Sequence, residues 1–80
     1  FSEAFSSLLE KSGVTCYQIA KFSLLDESYL SRLKTGEKYN PSAEVIMRIS
    51  LAVAHYSTKV ALHDMEDLFN SAGRSLYIKH

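Results

Sequence analysis

A single cysteine, Cys16, and a single proline, Pro41, stand in a chain whose charges cancel, nine basic side chains against nine acidic ones. One cysteine excludes a disulfide framework and cannot hold a metal by itself. A lone free thiol fits a reducing compartment, so the expected location is the cytoplasm. No apolar run approaches the roughly 18 residues of a membrane-spanning helix. A glycine-rich phosphate loop is missing, and so are alternating strands, repeats and low-complexity stretches. His55, His63 and His80 are too scattered for a metal-ligand pattern and read as structural or solvated side chains. The sequence begins at Phe1 and not at Met, and the expectation is a domain excised from a longer protein.

What is present is a globular composition, 46% apolar in 80 residues, enough for one small domain. We expect that domain over 1–75, with 76–80 as a tail whose Leu76, Tyr77 and Ile78 suit a dimer contact or a link to a further domain. The charge is unevenly spread. Lys11 to Arg48 holds six bases and four acids, whereas Glu3 and Glu10 precede it and Asp64, Glu66 and Asp67 follow. A mildly positive middle is a weak argument for a phosphate partner.

Apolar spacing and capping residues divide the chain into helices. In "SEAFSSLLEKSG", Phe5, Leu8 and Leu9 share a face, with Ser2 as the expected cap and Gly13 as the stop. Thr15 suits the cap of a short helix, "CYQIAKFS", burying Ile19 and Ala20. After the break "SLL", Asp26 caps a third helix running from Glu27 to about Lys34, with Leu30 and Leu33 inward and Gly36 as its end. Its acids lie in the first turn and Arg32 and Lys34 in the last, which complements the helix dipole. Asn40-Pro41 interrupts, and Ser42 opens a fourth helix to about Ala54, with Val45, Ile46, Ile49, Ala52 and Val53 inward. A fifth helix carries Met65, Leu68 and Phe69, starting either near Lys59 under Ser57 or at Asp64, and closing at Gly73. Arg74 to His80 reads as extended or disordered. The expected fold is therefore all-α, five helices joined by short loops.

The link between the second and third helices is too short for antiparallel packing, so the pair must cross steeply, as in a helix-turn-helix. That leaves Glu27, Ser28, Ser31 and Arg32 outward on the third helix, whose width matches a B-DNA major groove. The run "GVTCYQIAKFSLLDESYLSRLKTGEKYNPS" resembles the Cro/cI-like, or Xre-family, helix-turn-helix domains of bacterial and phage repressors. The likeness rests on Gly13-Val14 before the second helix, Ala20 on it, the run Ser28-Tyr29-Leu30-Ser31-Arg32-Leu33, then Gly36 and Pro41-Ser42. The closing "DLFNSAG" is similar to the family's fifth helix, and the resemblance covers residues 5 to about 73.

That resemblance implies a compact lambda-repressor-like domain and a sequence-specific transcriptional regulator, most often a repressor, binding double-stranded DNA. It implies base contacts from Glu27, Ser28 and Arg32. It implies phosphate contacts from Thr15 and Cys16 at the second helix, from Tyr29 and Lys34, and from the segment holding Thr35, Lys38, Tyr39 and Asn40. Family members commonly bind paired half-sites as homodimers. Two departures stand out: Leu24 where the family has glycine, and the acids Asp26 and Glu27 at the tip that would meet DNA. Both favour the alternative of a protein-interaction module that keeps the fold and has lost DNA affinity. Each residue also has a plainer reading: Arg32 as a solvated charge on the dipole, Lys34 to Asn40 as a polar loop, Cys16 as a small helix residue. Asp64, Glu66 and Asp67 read as an acidic first turn, so no enzyme, no cofactor and no small-molecule ligand is expected. No platform of interleaved aromatics supports single-strand binding.

Overall fold

The computed structural model describes residues 1–38 and 40–73. Among them lie five helices and no strand: α1 (Ser2–Ser12), α2 (Cys16–Ser23), α3 (Glu27–Thr35), α4 (Ala43–Tyr56) and α5 (Leu62–Ser71). No helix among these residues is long and apolar enough to cross a membrane.

Each helix contributes buried apolar residues, and these meet in one core. Phe5, Leu8 and Leu9 of α1 join Ile19 of α2, Leu30 and Leu33 of α3, Ile46, Ile49, Ala52 and Val53 of α4, and Leu68 and Phe69 of α5. Ala20, expected to be buried, is half-buried against this core. Pro41 is buried, so the break before α4 also serves as packing.

Local chemistry sets most of the helix ends. The Thr15 hydroxyl accepts from the Gln18 N–H at 3.2 Å, and the Gln18 side-chain amide oxygen accepts from the Thr15 N–H at 3.0 Å. This reciprocal box satisfies two of the first-turn donors that a helix leaves open. Asp26 accepts from the Ser28 N–H at 3.1 Å, and Ser42 accepts from the Val45 N–H at 3.2 Å. Gly36 ends α3 at φ 87°, and a Cβ there would lie 3.3 Å from Oγ of Ser2, so a side chain would also press on α1.

Two starts differ from expectation. Ser2 lies inside α1: the carbonyl of Phe1 accepts from the Phe5 N–H at 2.9 Å, and the two rings sit 5.6 Å apart, so Phe1 takes the cap position without a side-chain cap. α5 begins at Leu62 after Ala61, neither under Ser57 nor at Asp64. Asp64 works from the third helical position, accepting the Ala61 N–H at 2.9 Å, and also pairs with Lys11 of α1 at 2.9 Å. α3 and α4 each run slightly further than expected, to Thr35 and Tyr56, while α2 spans the expected Cys16–Ser23. The tail containing Leu76, Tyr77 and Ile78 lies outside the described residues.

Candidate nucleic-acid interface

Three residues, Leu24 to Asp26, join α2 to α3. Leu24 adopts φ 62° and ψ 25°, a left-handed conformation that costs a branched side chain energy, and its N–H donates to the Ala20 carbonyl at 2.9 Å. Its side chain is 87% exposed, so no internal contact offsets that cost. Leu25 turns inward against the core instead.

With Leu30 and Leu33 buried, α3 presents Glu27, Ser28, Ser31, Arg32 and Lys34 to solvent. α1 supports this helix from behind, through the Ser6 hydroxyl donating to the Lys34 carbonyl at 3.2 Å. Arg48 of α4 steadies the end of α2 by donating to the Ser23 carbonyl at 3.1 Å.

An open groove of about 750 Å³ runs between the start of α2 and the outward face of α3. It brings Thr15, Cys16 and Tyr17 together with Glu27, Ser31 and Lys34. Thus four of the expected contact residues, Thr15, Cys16, Glu27 and Lys34, share one surface although up to 19 positions separate them. Tyr17 and Ser31 join them there. Tyr17, which is 60% exposed, was not among the expected contacts; its place two residues after the Thr15 cap is the signal that could have found it.

Burial pushes the Cys16 thiol above its ordinary value; Lys34 opposes this more weakly, and Glu27 adds to it. Cys16 is therefore a protonated thiol at neutral pH, a poor nucleophile. Among the described residues no three His, Cys, Asp or Glu side chains are grouped to hold a metal ion.

Beyond α3 the chain doubles back. The Lys38 N–H donates to the Arg32 carbonyl at 3.0 Å, and the Thr35 hydroxyl donates to the same carbonyl at 3.2 Å. Thr35 and Lys38 are exposed beside the last turn of α3, and Asn40 is exposed with φ 58°. Tyr29 is half-buried against the core, and Tyr39 lies outside the described residues. From Asp26 to Lys38 there are three acids and three bases, Asp26 and Glu27 at the start of α3, Arg32 and Lys34 toward its end, and Glu37 beside Lys38 beyond it. The segment is dipole-complementary but carries no net positive field. Comparison with family models, with curated proteins and with solved structures finds no match to this chain.

Proposed function

We propose that this chain is the sequence-specific DNA-binding domain of a cytoplasmic transcriptional regulator, a repressor of the Xre type. α2 and α3 act as its helix-turn-helix within a lambda-repressor-like domain. The observation that carries the reading is the outward row on α3, with Ser28, Ser31 and Arg32 exposed over a buried Leu30–Leu33 row and a three-residue turn behind it. In this reading α3 enters the major groove, and Arg32 grips guanine O6 and N7 with two hydrogen bonds, while Glu27 and Ser28 read neighbouring base edges. The Cys16 amide and the short polar side chain of Thr15 at the start of α2, with Lys34, Thr35 and Lys38, hold the phosphates.

A second reading is favoured by the neutral balance between Asp26 and Lys38 and by the exposed Leu24. It makes the same surface a protein-docking face without DNA affinity. Selection from a random duplex pool, followed by anisotropy titrations at several salt concentrations, separates the two. DNA binding predicts an enriched motif, affinity falling steeply with salt, and about 1–3 kcal/mol lost at one base position in Arg32→Ala. No enrichment, with weak binding equal in the variant, would remove the DNA reading and leave the docking one.

A further inference from the structure

Three charged side chains line the groove between the start of α2 and α3: Glu10, which reaches it from α1, and Glu27 and Lys34 of α3 itself. On other surfaces opposite charges close within the chain, Lys11 on Asp64 at 2.9 Å and Arg48 on Glu44 at 3.1 Å. Here an ammonium and two carboxylates share one groove, yet none of the three forms an ion pair among the described residues. Besides burial, the fields of Lys34 and Glu27 both act on the Cys16 thiol, in opposite directions, so charge in this groove is felt across it. One ammonium against two carboxylates leaves the groove one negative charge, on a chain whose total is zero. An approaching phosphate chain meets no general attraction, and a single carboxylate weighs heavily.

We propose that Glu10 is an electrostatic brake on DNA: it repels the phosphate chain that Lys34 holds and weakens binding to every duplex by the same factor. The inference rests on the DNA reading above and gives the two carboxylates of the groove different roles. Glu27 lies in the first turn of α3, where it accepts from a cytosine amino group, so its effect depends on the base opposite. Glu10 belongs to α1, which supports α3 from behind through the Ser6 hydroxyl on the Lys34 carbonyl. From there it faces the strand and not the base edges, and phosphates are alike in every sequence. Binding to unmatched duplex is electrostatic almost throughout, so such a brake shortens the time the domain spends away from its site.

Anisotropy titrations of the full chain test this with two duplexes, one carrying the motif selected from the random pool and one of scrambled sequence. At roughly 50 mM salt, Glu10→Gln should tighten both by about threefold, the size of one unit charge several ångströms away in water. Glu10→Lys doubles the charge change and should tighten both by about tenfold. Both gains should shrink as salt rises, because the screening length falls from about 10 Å at 0.1 M to about 3 Å at 1 M. Asp67→Asn removes an exposed carboxylate of α5, outside the groove, and should leave both affinities where they are. Glu27→Gln should narrow the gap between the two duplexes, whereas Glu10→Gln preserves it. Far-UV circular dichroism and melting confirm that the variants fold. Unchanged or weaker binding in Glu10→Gln, or a gain no larger than that of Asp67→Asn, would overturn the brake and leave the DNA reading standing. A gain confined to one duplex would overturn it too, by making Glu10 a reader of bases. No binding of either duplex by the wild type would remove the DNA reading, and the brake with it.

Discussion

α3 and α4 answer the core in the same way and the outside in opposite ways. Leu30 and Leu33 on one, and Ile46 and Ile49 on the other, are fully buried. Outward, α3 shows Glu27, Ser28, Ser31, Arg32 and Lys34, whereas α4 shows Met47, Leu51 and Ala54. Inner rows are fixed by the need to bury apolar area and report the fold. Outer rows are free of that need, so a departure from plain solvation there reports what the molecule meets. A row of short polar groups and one arginine suits a hydrogen-bonding partner, and an apolar row suits a dry one.

The largest expected effects test whether inner and outer rows are as separable as this. Leu30→Ala and Ile49→Ala should each cost about 2–5 kcal/mol in urea unfolding, since each opens a cavity in a closed core. Ser31→Ala should stay within about 0.5 kcal/mol. A Ser31 variant as costly as the Leu30 one would mean that the outer row of α3 also holds the fold, and the contrast would collapse. Helix caps come next: Asp26→Ala and Ser42→Ala should each lose about 1 kcal/mol, whichever outer face the helix carries.

Leu24→Gly sharpens the contrast from the other direction. Glycine relieves the left-handed backbone, a gain of about 1–2 kcal/mol, and gives back about 0.5–1 kcal/mol through a freer unfolded chain. With the side chain 87% exposed, no packing is lost, so relief wins and the melting temperature should rise. A fall would show that Leu24 makes a stabilising contact after all.

These residues also show which parts were legible in the sequence. Apolar spacing gave away α1 to α4, and the caps at Thr15, Asp26 and Ser42 were visible because each contact spans only two or three positions. The start of α5 was hidden, because Ala61 is no capping type and Asp64 is held partly by Lys11, 53 positions away. Ser2 misled because it looked like a cap while Phe1 was placed by its ring. The groove joining Thr15 and Cys16 to Lys34 exists only once α1 has packed behind α3. Periodicity marked the inner face of α4, and the second stripe at Met47 and Leu51 emerges only when exposure is known.

The smallest contrast lies between two surface ion pairs, one on the outer side of α4 and one tying α1 to α5. Glu44 and Arg48 meet at 3.1 Å with the Glu44 side chain 74% exposed, a pairing that solvent largely screens. Glu44→Ala should therefore cost no more than about 0.5 kcal/mol. Asp64 is only 13% exposed, and the Ala61 N–H, followed by the Lys11 ammonium, holds its carboxyl below the ordinary value of 3.8. A carboxyl lowered on folding stabilises the native state fully above its unfolded pKa and stops doing so as pH falls through the folded one. Thermal melts should thus lose stability below about pH 4 in the wild type. Asp64→Asn should flatten that acid limb, while Glu44→Gln should leave it in place. An acid limb unchanged in Asp64→Asn would assign acid sensitivity to other carboxyls and make the α1–α5 tie no stronger than the pair on α4.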